Sequence, residues 1–196
     1  MSRIAIIGNG GHAKVIKDMI NKTNFVGFYD DQSSGSNLYL GPISKISECN
    51  YPIVCAIGSN EVRKRIAAEY PNLCWDTIIH SSAILSLSSL IYPGTMICAG
   101  AILQPDTVIG KHCIINTKAS IDHDCVIGDF VHIAPGSTLC GNVKVGELTF
   151  IGAGTTVKNG ITIGKNVTIG CGSNVVKDIP DNCIAYGNPC KVVKFK

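Results

Sequence analysis

The segment IDHDCVIGDFVHIAPGSTL, residues 121–139, decides the fold because an aliphatic residue recurs in it at every sixth position. The same period of six continues on both sides, from residue 79 to residue 175, without a break. At a hydrophobic content of 45%, the chance of such a run is about one in a million. The 17 positions are all Leu, Ile or Val: Ile79, Leu85, Ile91, Ile97, Leu103, Ile109, Ile115, Ile121, Ile127, Ile133, Leu139, Val145, Ile151, Val157, Ile163, Ile169 and Val175.

This period predicts a repeat architecture, and repeats of six residues indicate a parallel β-helix. Four residues after each aliphatic position the side chain is usually small, and Cys113 and Cys125 are expected to fill such inward positions. The pattern resembles the left-handed, three-sided β-helix of hexapeptide-repeat acyltransferases. The resemblance implies three hexapeptides per coil, about five to six coils, and columns of residues 18 apart that stack about 4.8 Å from one another.

The first 75 residues follow a different pattern. The apolar runs RIAIIG, FVGFYDD and YPIVCAIGSN read as strands, and HAKVIKDMINK and EVRKRIAAEY have helical spacing. Such alternation predicts a small α/β unit of the half-Rossmann type, βαβαβ, with a parallel sheet. We therefore expect an α/β domain over residues 1–75 and a left-handed β-helix with a short C-terminal tail over residues 76–196.

Composition excludes several classes of protein. Charged residues make up 16% of the chain and the net charge is only +3, which does not favour nucleic acid as a partner. No apolar stretch approaches the roughly 20 residues of a membrane helix, and the opening MSRIAIIGNGG is too polar for a signal peptide. The ten cysteines include no CxxC pair. We expect a reduced, cytoplasmic protein.

One corner of the predicted β-helix has the chemistry of acyl transfer. His123 is the third residue of the hexapeptide that begins at Ile121, so its side chain should lie on a corner outside the core. Gly141 lies 18 residues later, beside it in the next coil. A histidine next to an accessible backbone N–H combines a general base with a donor for a developing oxyanion.

A second corner column has small side chains, at Pro135, Ala153 and Cys171, which would let the thin pantetheine arm of coenzyme A approach the backbone. The chain after Val157 is also basic, which suits the phosphates of coenzyme A and equally suits surface lysines that serve only solubility. It carries six lysines against two aspartates: Lys158, Lys165, Lys177, Lys191, Lys194 and Lys196 against Asp178 and Asp181.

Five segments together resemble one family, the NeuD/PglD-like sugar acetyltransferases of bacterial glycan biosynthesis: GNGGHAKVIKD, AIGSNEVRKRI, IIHSSA, INTKASIDHDC and GNPCKVV. The resemblance implies a homotrimer with clefts between subunits, and acetyl-CoA as cosubstrate without a metal. It implies N-acetylation of the 4-amino group of a UDP-, GDP- or dTDP-linked amino-deoxy sugar, for lipopolysaccharide or protein glycosylation. O-acetylation of sialic acid is the runner-up.

The resemblance also assigns roles to particular residues. His123 matches the general base, and Asp124, where other members often have Glu, matches the acid that raises its basicity. Acetyl-CoA is expected to contact His132, Ala153, Gly170 and Cys171. The sugar nucleotide is expected to contact Gly10, Gly11, His12, Asp30, Asp31, Gly58, Asn60 and Glu61.

Three other functions compete with this reading. Gly8, Gly10 and Ala13 satisfy the dinucleotide fingerprint GxGxxA, but three strands make only one mononucleotide-binding half. Zinc-dependent β-helix enzymes space their histidines as HxxxxH, and no two histidines here are five apart. A sugar-nucleotide-binding scaffold without activity is the third. His112 is expected to be exposed and His80 to be structural.

Overall fold

The N-terminal part is a four-stranded parallel sheet with two α-helices, in a computed structural model that describes residues 3–20, 23–32 and 35–196. The strand order is β3-β2-β1-β4. The elements are β1 Ile4–Ile7, α1 Gly11–Met19, β2 Phe25–Tyr29, β3 Tyr39–Gly41, a 3-10 helix Ile43–Glu48, β4 Ile53–Cys55 and α2 Asn60–Glu69.

The sequence predicted three of these strands and both helices. Helix α2 begins where the Ser59 side chain accepts a hydrogen bond from the Val62 N–H at 3.3 Å, and Glu61 lies in its first turn. The last two residues of the predicted first helix, 21 and 22, lie outside the described residues. Strand β3 and the 3-10 helix were not predicted, because neither lies in an apolar run as long as those that contain β1, β2 and β4.

From residue 78 onward the chain forms a parallel β-helix of 17 two-residue strands. Each of the first 14 strands pairs with the strand 18 residues later, as Ile109 does with Ile127. The predicted fold class is confirmed, and every aliphatic position of the repeat is the second residue of a strand. The strands are β5 Ile78–Ile79, β6 Ile84–Leu85, β7 Leu90–Ile91, β8 Met96–Ile97, β9 Ile102–Leu103, β10 Val108–Ile109, β11 Ile114–Ile115, β12 Ser120–Ile121, β13 Val126–Ile127, β14 His132–Ile133, β15 Thr138–Leu139, β16 Lys144–Val145, β17 Phe150–Ile151, β18 Thr156–Val157, β19 Thr162–Ile163, β20 Thr168–Ile169 and β21 Asn174–Val175.

These strands form the three faces of a prism. Face 1 contains β5, β8, β11, β14, β17 and β20; face 2 contains β6, β9, β12, β15, β18 and β21; and face 3 contains β7, β10, β13, β16 and β19. The turns that follow each face form three edges, which we call edge 1/2, edge 2/3 and edge 3/1. In a triangular section edge 2/3 lies opposite face 1.

The interior combines aliphatic columns with small polar side chains that bond to the next coil. Cys113 and Cys125 are fully buried, in the inward positions predicted for them. The buried Thr149 hydroxyl donates to the Gly164 carbonyl at 2.7 Å and accepts from the Val167 N–H at 3.0 Å. Side-chain bonds of this kind satisfy backbone groups at the corners, where the strand ladder is interrupted.

A C-terminal hairpin closes the prism, and the sequence did not predict it. Strand β22, Cys183–Gly187, extends face 1 parallel to β20, and β23, Cys190–Phe195, pairs antiparallel with β22. No disulfide joins any of the ten cysteines. Over residues 3–20, 23–32 and 35–196, no helix is long and apolar enough to cross a membrane.

The N-terminal domain packs on face 1 and on edge 3/1. Ile6 and Phe28 share a buried cluster with Met96 and Ile114, the outward-pointing residues of face 1. On edge 3/1, the His112 ring stacks on the Phe130 ring with centroids 5.0 Å apart and meets the Trp75 ring edge-on at 4.7 Å. The expectation that His112 is exposed was wrong, because these packing contacts leave it only 5% exposed.

Candidate active site

The exposed pair at the centre of the candidate site is His123 and Asp124, in the turn of edge 2/3 that follows β12. The His123 side chain is 54% exposed, so a substrate can reach it. Its Nδ1 lies 2.7 Å from Oδ2 of Asp124, and its backbone N–H donates to the Asp122 carboxylate at 2.8 Å. Although Asp is shorter than the Glu that other members often have here, the Asp124 carboxylate lies within hydrogen-bond distance of the ring.

The two aspartates make the imidazole more basic. The hydrogen bond that the Asp124 carboxylate accepts is the main cause that raises the pKa of His123 above 6.5, with the charges of Asp122 and Asp124 acting in the same direction. Because the carboxylate accepts from Nδ1–H, Nε2 is the nitrogen left to accept a proton. This is the tautomer that a general base requires.

Gly141 lies directly under the imidazole. A Cβ added to Gly141 would stand 2.5 Å from both Cε1 and Nε2 of His123. None of the described residues accepts a hydrogen bond from the Gly141 N–H. The free ring nitrogen and an unpaired backbone donor are therefore neighbours, as the 18-residue spacing predicted.

The column of small residues lies on edge 1/2. The Gly154 N–H donates to the Pro135 carbonyl at 2.9 Å and the Gly172 N–H to the Ala153 carbonyl at 2.8 Å, so Pro135, Ala153 and Cys171 stack on consecutive coils. Pro135 and Cys171 are exposed and Ala153 is half-buried.

Gly170, by contrast, lies under the C-terminal hairpin. A Cβ added there would stand 2.7 Å from Cβ of Tyr186. A glycine is therefore needed here for Tyr186 to pack, and Tyr186 blocks the approach of a ligand to this position.

A cleft of about 470 Å³ opens at the carboxyl ends of β1 and β4. Of the residues expected to hold a sugar nucleotide, Gly10, Gly11, His12, Asp30 and Gly58 line it. A Cβ at Gly10 or Gly11 would meet nothing within 4 Å, so both glycines leave the helix N-terminus open to a ligand. This is the geometry that a phosphate-binding turn requires.

The Asp30 carboxylate shapes one wall of this cleft. Its Oδ2 accepts from the Asn9 N–H at 2.7 Å and its Oδ1 from the Gln32 N–H at 2.8 Å. Asp31 does not line the cleft, because its Oδ1 accepts from the Ile43 N–H at 3.0 Å and caps the 3-10 helix.

Asn60 and Glu61 line a second, smaller cleft of about 210 Å³, which shares Gly58 with the first. The Asn60 side chain has no free donor, because Nδ2 bonds to the carbonyls of Leu148 at 3.0 Å and Thr149 at 3.2 Å. Asn60 was predicted to bind the substrate, but both of its amide donors instead hold the two domains together. Glu61 is exposed and accepts from the Ser59 hydroxyl.

His12 and His132 meet at the junction of the cleft and face 1, with ring centroids 6.3 Å apart. Burial is the main cause that lowers the pKa of His12 to about 4 and that of His132 to about 3, and the charge of Arg63 adds to both effects. Nε2 of His132 accepts from the Asn116 amide at 3.1 Å. The sequence assigned these histidines to different ligands and gave no sign that they are neighbours.

The two halves of the candidate site lie on opposite sides of one chain. The cleft opens over face 1, where His12 touches His132, whereas His123 lies on edge 2/3. Within the part of the chain that the structure describes, no three His, Cys, Asp or Glu side chains converge as metal ligands.

Two family models match the chain: the PglD N-terminal domain over residues 3–70, and bacterial transferase hexapeptide repeats over residues 106–141 and 124–159. The acetyltransferase domain of PglB from Neisseria gonorrhoeae, solved with acetyl coenzyme A, is 34% identical. The match covers 97% of this chain and 98% of that one, with a TM-score of 0.92. The chain belongs to the NeuD/PglD-like sugar acetyltransferase family.

Two further proteins are similar to the chain. PerB from Caulobacter crescentus, solved with CoA and GDP-perosamine, is 33% identical over 99% of this chain and 98% of that one, with a TM-score of 0.91. UDP-N-acetylbacillosamine N-acetyltransferase from Bacillus subtilis is 42% identical over 114 residues. That alignment covers 50% of this chain and 52% of the Bacillus protein, so the chain matches about half the length of this relative.

Proposed function

We propose that the chain is an acetyl-CoA-dependent N-acetyltransferase that acts on the 4-amino group of a nucleotide-linked amino-deoxy sugar. The observation that carries the proposal is that the His123 imidazole, polarised by Asp124, lies against Gly141, whose N–H bonds to no described residue. A base and an oxyanion donor at one exposed corner are what transfer of an acetyl group to an amine requires.

The relatives support this choice of substrates. The Neisseria relative binds acetyl coenzyme A, PerB binds CoA and GDP-perosamine, and the Bacillus relative is named as an N-acetyltransferase of a UDP-linked sugar. They differ in the nucleotide, so UDP, GDP and dTDP all remain carriers to test.

We place the reaction in the cytoplasm, in bacterial glycan assembly such as lipopolysaccharide or protein glycosylation.

The mechanism is direct transfer in a ternary complex. Nε2 of His123 takes a proton from the sugar's 4-amino group as the nitrogen attacks the acetyl carbonyl carbon. The carbonyl oxygen, now an oxyanion, receives a hydrogen bond from the Gly141 N–H. When the C–S bond breaks, the proton held by His123 passes to the sulfur, so an amide and the free thiol leave together.

We place acetyl-CoA along edge 1/2, with Ala153 and Cys171 beside the pantetheine arm and His132 near the acetyl end. Gly170 serves this column indirectly, by letting Tyr186 pack against it. The sugar nucleotide occupies the cleft of Gly10, Gly11, His12 and Gly58. Asn60 and Asp31 support that cleft from behind.

A second subunit is needed to bring the two halves together, and we propose a homotrimer. The cleft over face 1 and the base on edge 2/3 point away from each other in one chain, so the base of one subunit would serve the cleft of its neighbour. Edge 2/3 and the faces beside it carry exposed apolar side chains, which favours burial against another copy. They are Ile84, Leu87, Leu90 and Val126.

The test is to incubate the purified protein with acetyl-CoA and a panel of UDP-, GDP- and dTDP-linked 4-amino sugars, with sialic acid as the O-acetylation arm. We expect release of CoA thiol, and a monoacetylated product by mass spectrometry, with at least one amino sugar. The His123→Ala variant should lose most of kcat while it still binds acetyl-CoA. Product from sialic acid alone would replace N-acetylation by O-acetylation, and no product from either would reject the proposal.

A further inference from the structure

Arg63 is a fully buried charge without a carboxylate partner. It is 0% exposed, and neither ion pair among the described residues, Lys64 with Glu147 and His123 with Asp124, includes it. Burial lowers its pKa to about 10, so it stays protonated at neutral pH. Burying a charge is costly for folding, and an apolar side chain of similar volume is often at least as stable. Stability alone is therefore a poor reason for an arginine here.

All five N–H donors of Arg63 bond to neutral oxygens on three parts of the molecule. Nη1 donates to the carbonyls of Ile57 at 3.0 Å and Gly58 at 2.9 Å, in the wall of the cleft. Nε and Nη2 reach across to edge 3/1, to the carbonyls of His112 at 3.0 Å and Phe130 at 3.2 Å. The second N–H of Nη2 donates to Oδ1 of Asn60, on the same helix, at 2.8 Å. The guanidinium thus fastens the cleft wall to the β-helix.

These bonds fix the direction of the backbone donors in the cleft wall. In a trans peptide the C=O and the following N–H point in opposite directions. Because Arg63 holds the carbonyls of Ile57 and Gly58, the N–H groups of Gly58 and Ser59 point away from the guanidinium. Neither N–H donates a hydrogen bond to any described residue, and Gly58 lines both clefts.

We propose that Arg63 is a positioning residue for the sugar nucleotide, which holds the segment from Ile57 to Ser59 so that its free N–H groups face the phosphates. The inference rests on the proposed function and deepens it, because it assigns the affinity of the cleft to a side chain that never touches the ligand. Consecutive backbone N–H groups with one orientation are a recurring anion-binding arrangement.

The test measures both substrates separately on Arg63→Met, which keeps the length without the charge, and on Arg63→Lys, which keeps the charge with fewer donors. Direct binding of UDP, GDP and dTDP is measured by calorimetry, and KM is measured for the sugar nucleotide and for acetyl-CoA. We expect Kd and KM for the nucleotide to rise about tenfold or more in Arg63→Met and less in Arg63→Lys, with KM for acetyl-CoA unchanged.

Two matched controls on helix α2 separate positioning from stability. Ile66→Ala removes a buried apolar side chain and lowers Tm while it leaves all five hydrogen bonds of Arg63 in place, and Arg65→Met removes an exposed charge. Both should keep the wild-type nucleotide Kd. Equal nucleotide affinity in wild type and both Arg63 variants, or an equal rise in Ile66→Ala, would overturn the positioning role. Wild-type protein that binds none of the three nucleotides would instead reject the proposed function, and the Arg63 role with it.

Discussion

Oδ2 of Asp124 lies 2.7 Å from Nδ1 of His123, and the two residues share one turn at edge 2/3. Neighbours in sequence rarely face each other, but the positive φ of Asp124, 59°, turns its side chain back toward the ring. The pair is exposed, so the carboxylate acts mainly through this hydrogen bond. The corner geometry of the β-helix therefore supplies an oriented base without any contribution from the N-terminal domain.

Replacement of Asp124 should shift the pH dependence of the reaction. The base works only when neutral, so kcat/KM should rise with pH through a His123 pKa that lies above 6.5. Asp124→Asn removes the carboxylate that raises the pKa of His123, so the midpoint of the pH profile should move to lower pH. The maximal kcat/KM should fall about 10- to 100-fold. Asp124→Glu is the control and should keep the midpoint above 6.5. An Asp124→Asn profile that superimposes on wild type would remove this residue from the mechanism.

Gly141 should tolerate no side chain in an active enzyme. The Cβ of Gly141→Ala would stand 2.5 Å from the imidazole and push the ring out of place, so kcat should fall about 100-fold. Tm should change little, because the ring is exposed and free to move. Asn159→Ala changes the same corner column one coil further on and should keep full activity. Wild-type kcat in Gly141→Ala would contradict the placement of the base over this N–H.

Alkylation of cysteines should report where acetyl-CoA binds. Cys74 and Cys171 are exposed, whereas Cys113 and Cys125 are fully buried and their pKa values are raised by burial to about 12 and about 11. Iodoacetamide should therefore modify Cys74 and Cys171 first. Acetyl-CoA at ten times its Kd should slow modification of Cys171 about tenfold and leave Cys74, the internal control, unchanged. Equal rates at Cys171 with and without acetyl-CoA would move the cosubstrate off edge 1/2.

Removing an interior hydroxyl should destabilise the β-helix. Thr149→Val keeps the volume but leaves the Gly164 carbonyl and the Val167 N–H without their partner. The free energy of unfolding should fall by about 1–3 kcal/mol, as measured by urea denaturation. Thr156→Val, on the exposed surface of face 2, should change it by less than about 0.5 kcal/mol. Equal effects from both variants would show that the interior bond contributes little.

The sequence predicted the β-helix well because its period is a direct consequence of the structure. Each coil repeats the same environment, so Ile109 and Ile127 occupy equivalent positions in register. The same periodicity placed His123 beside Gly141 without any knowledge of the tertiary structure. Contacts that repeat at a fixed spacing are visible in one dimension.

Contacts made by domain docking are not visible in this way. His112 is buried because Trp75 packs on it, and Asn60 bonds to carbonyls 88 and 89 residues further along the chain. Neither partner stands at a fixed spacing. Arg63 likewise cannot be told from the other charged residues of its polar helix in the sequence, because it is buried only where the helix docks on the β-helix. These residues act through an arrangement of two domains that no local pattern encodes.

The most direct measurement concerns the pairing of one subunit's base with its neighbour's cleft. His123→Ala removes the base, and Gly10→Phe fills the cleft at a position where a Cβ meets nothing within 4 Å. Each variant alone should be inactive. Trimers reassembled from an equal mixture should recover about a quarter of the wild-type rate, because one in four interfaces combines an intact base with an intact cleft. If the mixture is as inactive as its components, the base and the cleft of the same chain work together, and the intersubunit account is wrong.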